Sequence, residues 1–125
     1  MADESTKPQY EKTPNFISTY ANNFYLESST WDLKLVFGQL DQSEVPNKIK
    51  QHVAVTIPWT QAKLLSFFLR VHVRAEEMQD GKIHIRPDVR PSETDLPTDE
   101  QLKDPNFMEF YEFVKKLREE FIADA

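Results

Sequence analysis

Three stretches in the first half of the chain alternate between apolar and polar residues, the period of two that is typical of β-strands. They cover residues 20–27, 31–38 and 49–57, and a polar segment over 41–48 separates the second from the third. Strands that follow one another this closely favour antiparallel pairing. The pattern therefore predicts an antiparallel meander that begins near residue 20.

The first two strands are expected to form a hairpin. With Ser29-Thr30 as the turn, Leu26 faces Leu33 and Phe24 faces Leu35, so apolar residues meet across the pair. A slip of one residue would move all of them to the wrong face. In the third strand, one apolar face is expected from the alternating residues Ile49, Gln51, Val53, Val55 and Ile57.

A helix is predicted over residues 58–79, because proline suits a first helical turn and Asp80-Gly81 suits a helix end. Its polar sector is only about 80° wide, whereas an ordinary surface helix has an apolar stripe of little more than about 100°. Three strands cannot cover the remaining apolar arc, so a second partner surface is expected. The helix residues expected to contact it are Leu64, Phe67, Phe68 and Val71.

The region after this helix contains a short extended piece, a proline-rich acidic linker and a last helix. Residues 82–86 are a candidate fourth strand, and Thr98 with Gln101 has the spacing of a capping box. Asp104-Pro105 is a good start for a helix over 106–122. On its apolar face, the expected contact residues are Phe110, Val114, Leu117 and Phe121.

The predicted fold class is α+β: a three- or four-stranded antiparallel meander, one long packed helix, a proline-rich arm and an amphipathic C-terminal helix. The predicted divisions are a mobile N-terminal arm over 1–19, a core domain over 20–86, the linker over 87–105 and the C-terminal helix over 106–125. The predicted partner surface of the long helix is the C-terminal helix, another copy of the chain or both, and the alternative is that the aromatic residues close a monomeric core; a dimer is favoured.

Composition excludes several function classes. The 125 residues include no cysteine and two isolated glycines, so disulfides, thiolate zinc sites, cysteine nucleophiles and glycine-rich phosphate loops are excluded. The formal net charge of -6 makes the chain a poor match for nucleic acid or an anionic membrane. No apolar run is long enough to span a bilayer, and a cytoplasmic protein without a cofactor is expected.

Residues 20–78 resemble a small bacterial family catalogued as domain of unknown function 3467. The resemblance is carried by Tyr20-Ala21-Asn22, Phe37-Gly38, Pro58, Ala62-Lys63 and Leu65. It implies a compact strand–strand–strand–helix unit and no catalytic residue. The family usually enters its helix through Ser-Pro, where this chain has Ile57-Pro58.

The three histidines lack the close spacing of zinc motifs, so no metal site is expected. His72 and Glu76 lie four residues apart on one helix face, where a carboxylate can orient an imidazole. Without a nucleophile at a strained turn or an oxyanion loop, a stabilising hydrogen bond or ion pair is the favoured interpretation. The chain is therefore predicted not to be an enzyme.

Lys63, Arg70 and Arg74 form a basic stripe along the polar sector of the long helix. The stripe is interpreted as a solvated helix face, a phosphate or nucleic-acid contact, or a surface for the acidic linker, whose net charge is about -4. The predicted function is a non-enzymatic cytoplasmic protein–protein interaction module that self-associates through its two helices. The alternatives are a chaperone- or adaptor-like binder of extended peptides and a phosphate or nucleic-acid binder.

Overall fold

The computed structural model describes residues 7–43 and 45–125. The elements in chain order are β1 (Asn23–Ser28), β2 (Asp32–Asp41), β3 (Lys48–Pro58), α1 (Trp59–Asp80), α2 (Asp99–Leu102) and α3 (Pro105–Asp124), and a 3-10 turn covers Pro87–Val89. The predicted N-terminal arm lies partly outside the described residues, and its described part has no helix or strand. Glu44 in the predicted polar loop also lies outside them.

The three strands form one antiparallel sheet in the order β1-β2-β3, and the α+β fold class is confirmed. The candidate fourth strand over 82–86 is wrong, because that segment has no regular structure. Its backbone groups are used locally instead. Ile83 N–H donates to Glu77 Oε2 at 3.0 Å, and Ile85 C=O accepts a hydrogen bond from Arg90 Nε at 2.9 Å.

The turn between β1 and β2 lies one residue later than predicted. Ser29 N–H donates to Asp32 C=O at 2.9 Å, and the Ser29 hydroxyl accepts hydrogen bonds from the N–H groups of Trp31 and Asp32. These bonds close the turn after the last strand pair, Ser28 with Leu33, and Leu26 pairs with Leu35 instead of Leu33. This shift of two residues in partner keeps each side chain on its predicted face.

A β-bulge interrupts the pairing of β2 with β3. Phe37 pairs with Val53 and Gly38 pairs with Gln51, so His52 is an extra residue on β3. Ile49 pairs with Leu40, and past the bulge the alternation of faces is reversed. The prediction that Ile49 and Gln51 share a face with Val53 is therefore wrong.

The paired residues define an apolar face of the sheet that crosses all three strands. Successive rows bring Phe24, Phe37 and Val53 together, and then Leu26, Leu35 and Val55. The full face consists of Phe24, Leu26, Leu33, Leu35, Phe37, Val53, Val55 and Ile57.

The helix ends follow the capping residues that the sequence indicates. Gly81, with φ 93°, donates its N–H to Glu77 C=O at 3.0 Å and ends α1. The predicted capping box between Thr98 and Gln101 is confirmed at α2. The Asp104 side chain accepts hydrogen bonds from the first N–H groups of α3, which confirms this start as well.

Burial is the main difference from expectation. Among the described residues no hydrophobic side chain is buried, and in α1 only Ala62 and Glu77 are even partly buried. The chain divides into two units, Met1–Phe68 and Leu69–Ala125, with the boundary inside α1. The predicted "packed" helix therefore forms with its apolar side chains open to solvent.

Candidate interaction surfaces

The predicted contact residues of α1 are all exposed. The exposed fractions are 50 % for Leu64, 60 % for Phe67, 52 % for Phe68 and 47 % for Val71. The rings of Phe67 and Phe68 meet edge to face with centroids 5.2 Å apart, so they form one aromatic cluster at the surface.

Phe68 of this cluster also belongs to a longer line of apolar residues on α1. The residues recur at alternating intervals of four and three, which is the spacing of a coiled-coil contact line. We call the set the α1 seam: Leu64, Phe68, Val71, Ala75 and Met78. Ala75 and Met78 were missed in the sequence-based prediction, although the heptad spacing is visible in the sequence.

A second apolar strip on α1 contains Leu65, Leu69 and Val73, which are also exposed. The helical period of 100° per residue puts this strip well away from the α1 seam, so α1 is apolar on two sides. His72 and Glu76 lie beside it, as predicted. Among residues 7–43 and 45–125, however, no hydrogen bond or ion pair joins them; a hydrogen bond with Asp80 instead raises the pKa of Glu76 above its ordinary value.

In the second unit, the linker lies along one side of α3. Arg118 Nε donates to the carbonyl oxygens of Pro91 at 3.0 Å and Ser92 at 3.1 Å. Leu96 of the linker lines a shallow hollow together with Tyr111 and Val114 of α3. Val114, a predicted contact residue, is half-buried.

The side of α3 that adjoins the linker side is exposed, and Phe110 at its border also lines the hollow. The exposed apolar residues of this side are Phe110, Phe113, Leu117 and Phe121. Three of the four were predicted contact residues. Phe113 was not, although it follows Phe110 by three residues and precedes Leu117 by four, a spacing that places all three on neighbouring faces.

The basic stripe of Lys63, Arg70 and Arg74 is exposed along α1. Within the part of the chain that the structure describes, none of the three forms an ion pair, with the linker or elsewhere. Asp88 of the linker forms its ion pair with Arg86, two residues earlier in the chain, at 3.3 Å. A phosphate or nucleic-acid contact at this stripe stays a prediction.

Each of the three histidines belongs to a different part of the fold. His52 lies at the bulge of β3, His72 on α1 and His84 in the segment after Gly81. Over the described ranges, no group of three or more histidine, aspartate and glutamate side chains is arranged to hold a metal ion. No described helix combines the length and apolar character needed to cross a membrane.

Comparison with models of protein families, with curated proteins and with solved structures finds no match. The resemblance of residues 20–78 to domain of unknown function 3467 accordingly stays a prediction.

Proposed function

We propose that this chain is a non-enzymatic cytoplasmic protein–protein interaction module that forms a homodimer through α1 and α3. One observation carries the proposal: among the described residues, no hydrophobic side chain is buried. Hydrophobic burial is the dominant favourable contribution to folding, and each exposed Leu or Phe forgoes roughly 1.5–3 kcal/mol. A second copy supplies the missing apolar surface.

The α1 seam supports α1 as one contact element. Its four-and-three spacing over Leu64, Phe68, Val71, Ala75 and Met78 is what knobs-into-holes packing between two helices requires. The exposed side of α3 supplies a second surface with the same character, rich in phenylalanine. Aromatic side chains are enriched in the cores of protein interfaces, where each buries a large area.

The test is the mass of the full chain in solution, measured by light scattering after size exclusion. We expect twice 14.7 kDa for the unmodified protein. Val71→Glu puts a charge into the α1 seam of both copies, and we expect its mass to fall toward that of one chain. Ser66→Glu introduces the same charge on the polar sector of α1 and should leave the dimer intact.

A parallel pair tests α3, in case Val71→Glu fails to fold. Leu117→Glu on the exposed apolar side should weaken association, whereas Lys116→Glu on the polar side should not. A single-chain mass for the unmodified protein at about 10 μM or above, well over the dissociation constant of an obligate dimer, would contradict the proposal.

A further inference from the structure

Within residues 7–43 and 45–125 no strand pairs with the outer edge of β3, and β3 is the longest strand of the sheet at 11 residues. The opposite edge, β1, has only 6 residues and carries the charged Glu27 near its end. Short and charged edges resist pairing with another chain. Of the two edges of this sheet, β3 is therefore the one suited to accept a further strand.

The direction of the backbone groups follows from the hairpin turn. Ser29 N–H donates to the Asp32 carbonyl, so the polar groups of Asp32 point toward β1. Successive residues alternate, which directs Leu33, Leu35 and Phe37 toward their β3 partners Ile57, Val55 and Val53. The N–H and C=O groups of Ala54 and Thr56 consequently face the open edge, and both residues are exposed.

The sequence of this edge contains few of the features that prevent pairing. Residues 51–57 include no charged residue, no proline and no glycine, and four of the seven are β-branched. Such neutral, β-branched stretches are prone to pair with another strand. The nearest lysine, Lys50, lies beyond the bulge, and Pro58 ends the strand with its missing N–H on the outer side.

We propose that β3 of a second copy pairs antiparallel with this edge about a two-fold axis at Val55, which joins the two sheets into one of six strands. Ala54 then exchanges hydrogen bonds with Thr56 of the partner subunit, and the reverse pair does the same. Val53 lies opposite Ile57 of the partner subunit. This inference rests on the proposed self-association and names a surface additional to the helices.

The register is centred on the regular stretch between the bulge at His52 and Pro58, whose middle residue is Val55, and it also matches the faces of the sheet. A two-fold at Val55 keeps Val53, Val55 and Ile57 of both copies on one side, so the apolar face continues across the joint without interruption. A pairing displaced by one residue would place the valine side chains of one copy on the same side as the polar face of the other copy. An isologous contact of this kind closes on itself and leaves only the two β1 strands as edges.

The absence of cysteine from the chain makes a cross-linking test direct. In the proposed pairing the two Val55 residues form a non-hydrogen-bonded pair, whose Cα atoms lie about 4.5 Å apart and whose side chains approach closely. Val55→Cys should therefore form a disulfide-linked dimer under oxidised glutathione. Leu35→Cys, one strand further in on the same face, should not, because its two copies would lie about 14 Å apart.

Thr56→Pro in the Val55→Cys background removes an outward N–H and leaves the bonds from β3 to β2 in place. We expect it to abolish the cross-link while circular dichroism shows the fold retained.

If Val55→Cys stays unlinked although light scattering shows a dimer, edge pairing is overturned and association through the helices stands. Linking of both cysteine variants would indicate sheets packed face to face and would also overturn edge pairing. A single-chain mass for the unmodified protein would overturn both proposals.

Discussion

Gly38 sets the geometry of the sheet at the scale of a single residue. A Cβ atom at this position would lie 2.5 Å from the Lys50 carbonyl oxygen and 2.9 Å from the Gln51 Cα, both of which are backbone atoms. A side chain cannot be accommodated there unless β3 moves. The close approach of the two strands at the bulge therefore depends on glycine.

Gly38→Ala is expected to destabilise the fold by about 2–3 kcal/mol, because the methyl group displaces backbone rather than a flexible side chain. Urea unfolding at a fixed protein concentration measures the change. Gly81→Ala is the matched control: nothing lies within 4 Å of its Cβ position, and only its positive φ costs free energy, about 1 kcal/mol. Equal losses in the two variants would contradict the role assigned to Gly38.

Asp41 carries a pH dependence at the end of β2. Hydrogen bonds from the Ser43 hydroxyl at 2.5 Å and the Ser43 N–H at 2.9 Å, with Lys50 Nζ at 3.3 Å, lower the pKa of its carboxyl below the ordinary 3.8. A pKa lower in the folded state means that the ionised form stabilises the fold above the ordinary value. That contribution is lost as the pH falls through the folded pKa.

Asp41→Asn should therefore lower the denaturation midpoint at pH 7, and the gap to the unmodified protein should shrink as the pH falls below 3.8 toward the folded pKa of Asp41. Thermal unfolding of both proteins across this range measures the difference. A gap of constant size from pH 7 to pH 3 would show that the charge of Asp41 plays no part.

At the scale of elements, local chemistry explains which features were predictable. The helix-end signals act within one turn of helix, so each could be identified in the sequence. They are Asp104-Pro105, the capping box of Thr98 with Gln101, and Asp80-Gly81. The bulge could not be identified in this way, because the apolar alternation of Ile49, Gln51 and Val53 continues through it. Its cause, the close contact of Gly38 with β3, is visible only once the strands are paired.

The segment 82–86 also shows the limit of pattern-based prediction. Ile83 and Ile85 alternate with polar residues as in a strand, but a strand needs a partner for its backbone groups. Here the side chains of Glu77 and Arg90, and not a neighbouring strand, bind the N–H of Ile83 and the C=O of Ile85. For the interaction surfaces, residue type predicted the apolar faces of α1 and α3, whereas the hollow that Val114 shares with Leu96 depends on the path of the linker.

Arg118 holds the linker against α3, and its removal should release that segment. Arg118→Met keeps the apolar stem of the side chain and deletes the hydrogen bonds to Pro91 and Ser92. Cleavage after Glu93 by a glutamate-specific protease should become several-fold faster, since a protected segment is cut only when it opens. Lys116→Met, on another side of α3, should leave the rate unchanged; faster cleavage in both variants would contradict this role.

At the scale of the whole molecule, the surplus of apolar surface is the property that connects sequence, structure and proposed function. The wide apolar arc of the long helix is readable in the sequence and predicts a partner. The described residues add that neither this arc nor the apolar face of the sheet is buried within one chain. The central claim is that folding of this chain is coupled to association with a second copy.

The dependence of thermal unfolding on protein concentration tests that claim most directly. For a dimer whose chains unfold as they separate, a 100-fold rise in concentration stabilises the folded state by about 2.7 kcal/mol. With the usual unfolding entropy per residue over two chains, the midpoint should rise by about 5 °C between 1 μM and 100 μM. A midpoint that stays constant over this range, together with a mass of one chain, would contradict the account.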